Sequence, residues 1–215
     1  MRKGIFILLL LTLLVGCATT APVREALKED LKVPAGKIEG NQFFGIRYPF
    51  NVSVPSNWKM TMEFPDFLEE LGYDKPSPMD KEQTELYAYD PETKSNIQFD
   101  FTPAGRYSTF SQESVERLTT MATSSLKDEI EKDYGKGTKV EVGPTEPISL
   151  KGVQFAAKKY AIYSVKGLKR VQGWIYGFSE PYQLFILYMI LEKDGANDRE
   201  DLKKILDSFE VIQKR

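Results

Sequence analysis

Apolar positions in the second half of the chain are packed too densely, and in runs too regular, for loops. Lys139–Val142 and Ile148–Leu150 flank Gly143-Pro144, and three longer runs follow: Val153–Val165, Val171–Phe178 and Tyr182–Leu191. These are rich in Tyr, Phe, Ile and Val, the residues that suit a pleated, half-buried surface. Short connections at Lys166-Gly167 and Glu180-Pro181 predict an antiparallel meander. Leu184 to Leu191 is apolar on both faces, which predicts a central strand covered above and below. Before the meander, Val115, Leu118, Ala122, Leu126 and Ile130 recur at helical spacing and predict one long helix. Ser111 stands where an N-cap belongs, and Gly135 follows as a stop. Near the end, Asn197 and Glu200 have the spacing of a capping box. Leu202, Ile205, Leu206 and Phe209 give the helix after them its buried face.

The first half is less regular. Phe43, Phe44, Ile46 and Tyr48 read as a strand continued by Asn51–Val54, and Pro55-Ser56-Asn57 turns the chain into Trp58. From Phe64 to Gln83 the pattern is irregular, rich in Pro and acids, with a short helix at Asp66–Leu71. Thr84–Tyr89 and Ile97–Thr102 read as a hairpin around Asp90-Pro91-Glu92. Two main helices and about seven or eight mostly antiparallel strands predict an α+β fold, a sheet covered on both faces in an α/β/α sandwich.

Residues 1–41 do not fit that domain. Met1-Arg2-Lys3-Gly4 is basic, and Ile5–Val15 is an apolar run of 11 residues broken only by Thr12. A spanning helix needs about 20 apolar residues, so the run reads as a secretory signal rather than a span. It ends in Leu14-Val15-Gly16-Cys17, and Cys17 is the single cysteine of the chain. This resembles the lipobox of bacterial lipoproteins. The resemblance implies cleavage before Cys17, a diacylglyceryl group on its thiol and a further acyl chain, of the palmitate kind, on the new amine. Each buried CH₂ contributes about 0.8 kcal/mol, so two or three chains hold a protein firmly on a bilayer. The expected division is therefore signal peptide 1–16, acylated Cys17 and tether 17–41, and one α+β domain 42–215. A flexible tether of this length spans about 25–30 Å. Ala18 after the cysteine resembles lipoproteins sent to the outer membrane, facing the periplasm, if the host is Gram-negative.

Composition removes several function classes. The 215 residues carry 29 Lys+Arg and 31 Asp+Glu, and no histidine. Loss of residues 1–16 takes away Arg2 and Lys3 and moves the formal charge from −2 to −4. That balance gives no general attraction to nucleic acid. Without histidine, Ser-His-Asp and Cys-His chemistry is ruled out. One cysteine forms no internal disulfide and no cysteine-based zinc site. No cofactor is expected.

Tyr48-Pro49-Phe50 leading through Val54-Pro55 to Trp58, a long central helix, and the ending Leu202–Phe209 with its Ser208-Phe209 pair together resemble the PsbP-like/Mog1 fold, over about residues 42–213. That resemblance implies an α/β/α sandwich whose members usually assist or bind other proteins. It brings no catalytic residue set.

Four groups of side chains are candidates for chemistry. Ser56–Lys59 and Ser124–Lys127 have the Ser-x-x-Lys spacing of a Ser–Lys dyad, but one lies in a turn and the other within a helix. Glu63, Asp66, Glu69, Glu70, Asp74 and Asp80 offer oxygen ligands to a hard cation, without EF-hand spacing. Lys158, Lys159, Lys166, Lys169 and Arg170 surround the Lys166-Gly167 turn and would face an anionic lipid or an acidic protein. Trp174, Tyr176 and Phe178 share one sheet face, with Tyr182 beyond, and would line a groove that loop 64–83 covers. Solvated surface and ordinary core packing explain the same residues more simply. The expected function is a membrane-anchored, non-enzymatic envelope lipoprotein binding a protein partner as an accessory or assembly factor. The alternative is a lipid or small-molecule carrier; an enzyme built on carboxylates or lysine ranks below both.

Overall fold

A computed structural model of the chain describes residues 32–76, 84–104, 110–122, 124, 126–193 and 195–212. Within them lie two sheets. The larger is built on the meander β9 (Phe155–Val165), β10 (Leu168–Ser179) and β11 (Tyr182–Glu192). Lys166 at φ +52° and Gly167 at φ +79° form the first tight turn, where both central residues of a type I′ hairpin need positive φ. Glu180-Pro181 forms the second. Beside β11 lies the hairpin β5 (Thr84–Tyr89) and β6 (Asn96–Pro103), with β4 (Lys59–Thr61) at one edge. At the other edge β7 (Val140–Val142) and β8 (Glu146–Pro147) both pair with β9. The order is β4-β5-β6-β11-β10-β9-β7, every pairing antiparallel, so β11 is the central strand that its two-faced apolar run predicts.

The smaller sheet has the order β1 (Gly36–Glu39), β2 (Gln42–Gly45), β3 (Phe50–Ser53) and β12 (Glu210–Val211). Two findings here differ from expectation. The Phe43–Val54 stretch is two strands, because Ile46–Pro49 turns the chain between them. Moreover β1 lies within the stretch read as tether. Its two-residue turn to β2 uses Gly40 at φ +57°, so a glycine that reads as a breaker closes a hairpin.

One face of the large sheet is buried by the small sheet and by α4 (Asp198–Ser208). There Phe50 stacks on Phe101 at 4.7 Å, and Phe209 stacks on Phe99 at 5.6 Å. The opposite face is covered by α2 (Gln112–Ala122) and α3 (Leu126–Tyr134). The fold is α+β, with mostly antiparallel sheets.

The predicted single central helix is in fact α2 and α3. Hydroxyl side chains near the join bond back to helix carbonyls: Thr119 to Val115, Thr120 to Glu116 and Ser124 to Met121. Such bonds offer the backbone an alternative to continued helix. As a result α2 buries Val115 and Thr119 but leaves Leu118 outside, whereas α3 buries Leu126 and Ile130. The start is as expected: the Ser111 hydroxyl accepts from the Ser114 N–H, and the Ser114 hydroxyl accepts from the Ser111 N–H. Gly135, at φ +109°, ends α3.

Candidate functional site

The loop after β4 is pinned to the helix-covered face of the large sheet by aromatic contacts. Phe64 meets Tyr87 edge-on at 5.8 Å and Phe67 meets Tyr89 at 5.0 Å. Between them α1 (Phe67–Glu70) buries Leu68. The helix closes in a Schellman motif, with Gly72 N–H donating to Glu69 O and Tyr73 N–H to Leu68 O, both at 3.0 Å. Gly72 takes the left-handed φ of +94° that this cap requires. The next side chain, Tyr73, is thereby turned inward beneath α3.

Leu71–Asp74, α3 and strands β9–β11 line an open-sided pocket of about 270 Å³. Its walls include Tyr73, Tyr134, Tyr163 and Gln172, with Leu187 and Met189 supplying apolar surface. The Tyr163 hydroxyl lies 2.8 Å from Gln172 Oε1, to which it donates. The Tyr134 hydroxyl donates to Leu71 O at 3.2 Å and accepts from Arg170 Nη1 at 3.1 Å. The Arg170 guanidinium also stands 5.2 Å from the centre of the Tyr134 ring. Arg170 is only 8% exposed. Its Nε and the Tyr73 hydroxyl are buried with no hydrogen-bond partner among the described residues. Burial pushes the Tyr73 phenol far up, aided by Tyr163 and opposed by Arg170. The Tyr163 phenol is pushed up to about 12, first by burial and then by Tyr134.

The other sequence candidates fare differently. Of loop 64–83, Leu71–Asp74 line a groove on the helix-covered face, and residues 77–83, with Asp80 among them, lie outside the described residues. That groove is not built from the predicted aromatics. Trp174 and Phe178 are buried under α3 and α2, Phe178 stacking on Phe110 at 4.2 Å, and Tyr182 packs on the opposite face against Tyr48. The basic residues are not brought together. Lys158 pairs with Glu146 at 3.5 Å and Lys169 with Glu192 at 2.8 Å, while Arg170 is buried. Lys158 and Lys159 point to opposite faces of β9. Ser56, Lys59, Ser124 and Lys127 are all exposed. No three metal-ligating side chains converge among the described residues. Cys17 lies outside them.

Sequence reasoning missed a buried polar network at the start of α4. Asn197 stands at the predicted cap position but makes no side-chain cap bond. Instead the Ser95 hydroxyl donates to Asp198 at 2.6 Å and accepts from Leu191 N–H. The Asn57 amide donates to both Asp90 and Asp201, at 2.8 and 3.1 Å. Polar residues at the head of a helix read as solvated, so spacing alone gave no sign of these contacts. They fasten α4 to the sheet.

No family model and no curated protein matches the chain. Among solved structures it is similar to cyanobacterial PsbP from Synechocystis sp. PCC 6803, with 13% identity over 83% of this chain and 99% of that one and a TM-score of 0.48. It is also similar to LpqN, involved in cell envelope biogenesis of Mycobacterium tuberculosis, with 13% identity, 82% and 87% coverage and a TM-score of 0.48. A protein of Bacteroides thetaiotaomicron follows at 11% identity, 82% and 50% coverage and a TM-score of 0.44. Likenesses of this identity and score describe shape alone and assign the chain no family. Among the described residues no helix is long and apolar enough to cross a membrane.

Proposed function

We propose that the chain is a lipid-anchored envelope protein, acylated at Cys17, whose sandwich domain binds a protein partner as a non-catalytic accessory factor. The observation that carries the partner reading is on α2. Leu118 and Met121, one helical turn apart, are 38% and 63% exposed on the outer surface of a helix whose inner side is already packed. An apolar pair held on a rigid element is a natural contact for another protein. The anchor reading rests on the placing of the single cysteine after a short apolar run.

The test is purification of the tagged, acylated full-length chain from its own membranes in mild detergent. A near-stoichiometric companion is expected, and Leu118→Asp with Met121→Lys should release it while leaving the protein folded and membrane-bound. A clean preparation, or a companion indifferent to those changes, rejects the partner reading. Cys17→Ala tests the anchor separately: the intact mass should lose its acyl chains and the protein should leave the membrane fraction.

A further inference from the structure

The chain that joins Cys17 to the domain is shorter than a tether of 17–41, because the domain already holds the backbone at Val33. Arg47 Nε donates to Val33 O at 2.9 Å, and Ile46 N–H donates to Ala35 O at 3.0 Å. Val33 stands 16 positions after Cys17. A flexible chain of that length spans about 20–25 Å, and a fully extended one about 55 Å. The chain therefore enters the domain beside the Ile46–Pro49 turn, at one end of the small sheet. Ile212, just past β12, reaches the same end, where its N–H donates to Pro49 O at 2.7 Å. The turn between β10 and β11 abuts it, since Pro49, Pro181 and Ile212 line one shallow pocket. The Lys166-Gly167 turn closes the opposite end of β10, a strand of 12 residues that spans about 35–40 Å.

The entry end is apolar where it meets water. Val33, Ile46 and Ile212 are 39%, 56% and 44% exposed, three of the seven large apolar side chains exposed among the described residues. Pro34 and Pro181 are exposed with them. The charges there are of both signs: Lys32 and Glu180 are exposed, and Lys151 pairs with Glu210 at 2.7 Å. Mixed charge gives no special pull toward anionic lipid, so the contact is apolar. Three aliphatic side chains are too few to hold a free domain on a bilayer. A short tether to an acyl anchor makes the same contact intramolecular, and a weak surface then suffices. The tether also names the occupant, because it keeps lipid beside this end of the molecule. We infer that the entry end rests on the bilayer, with Val33, Ile46 and Ile212 inserted at the boundary of headgroups and acyl chains. The Lys166-Gly167 turn then points away from the lipid. This inference rests on acylation of Cys17 and is independent of the partner surface on α2.

Depth-dependent fluorescence quenching tests it on the full-length acylated protein in phosphatidylcholine vesicles. Acylation consumes the Cys17 thiol, so an introduced cysteine is the one site that a thiol-reactive, polarity-sensitive fluorophore labels. Ile46→Cys and Ile212→Cys report on the entry end, and Ser164→Cys, exposed beside the Lys166-Gly167 turn, on the far end. Lipids spin-labelled high on the acyl chain should quench the first two probes several-fold more than the third and leave their emission blue-shifted. Val33→Ser with Ile46→Ser should weaken quenching at position 212, while flotation with the vesicles, which the acyl chains supply, stays unchanged. Equal quenching at all three positions overturns the inference. So does a blue shift at 46 and 212 without quenching, which would mean that protein, such as a second copy, covers them. Quenching at 212 that ignores the two serines overturns it as well. A protein that carries no acyl chains and does not float rejects the anchor reading itself, and this inference with it.

Discussion

Arg47 and Glu85 are a fully formed ion pair inside the protein, 2.8 Å apart with side chains 8% and 1% exposed. Arg47 Nε also donates to Val33 O, so one side chain ties the entry of the chain to strand β5. Removing one member of a buried pair leaves the other charge uncompensated, at a cost of about 3–5 kcal/mol. Arg47→Met should therefore destabilise strongly, read as a lower urea midpoint, and Arg47→Met with Glu85→Leu should recover much of the loss. Burial holds the Tyr163 and Tyr188 phenols up at about 12, with Tyr134 and Tyr160 as further causes. An unfolded tyrosine ionises near 10.0. Between pH 10 and 12 the unfolded chain thus loses protons that the folded chain keeps. The contribution to stability is complete below that window and is lost as pH rises through it. Phenolate absorbance of the native protein should show Tyr163 and Tyr188 among its late-titrating tyrosines, with Tyr73 and Tyr87 also raised, and Tyr163→Phe with Tyr188→Phe should remove two of them and delay alkaline unfolding.

At the scale of elements, α4 shows what a sequence can and cannot reveal. Its buried stripe of Leu202, Ile205 and Phe209 was legible, because burial on one face leaves a period in the pattern. The role of Ser208 was not. Its oxygen accepts from Ser53 N–H at 2.9 Å and lies 2.9 Å from Ser53 O, joining α4 to β3 across 155 positions of chain. Ser208→Ala leaves that N–H unpaired and should cost about 1–3 kcal/mol in denaturant unfolding, with the fold retained. The meander was legible for a different reason: long apolar strands and the two turns between them are local signals. The break between α2 and α3 was hidden, since hydroxyl back-bonds act on a helix whose apolar spacing continues undisturbed. The cavity was legible only in part. Loop 64–83 reads as a cover, but Tyr73 is aimed inward by a cap at Gly72, and Arg170 is buried by packing from α3. Neither event leaves a spacing in the sequence, and a basic residue beside four lysines reads as surface.

Across the whole molecule, the small sheet takes β1, β2 and β3 from near the start of the domain and β12 from its end, and Phe209 completes the shared core. Phe209 stacks with Phe99 and packs on Phe50 and Phe101, so the central aromatic cluster needs partners separated by more than half the chain. Contacts of such long range are late to form. A chain cut before Phe209 should keep much of its strand content and lose its near-ultraviolet circular dichroism and cooperative unfolding. A chain of native spectrum after that cut would show the cluster to be dispensable.

The position of Phe209 also bears on synthesis. It is synthesised after every strand of the large sheet. Until it emerges, the aromatic stack has no keystone and α4 has nothing to close against. The aromatic core therefore cannot close until all the strands of the large sheet have been made. An open chain can be threaded through a narrow channel, and one that has already folded cannot.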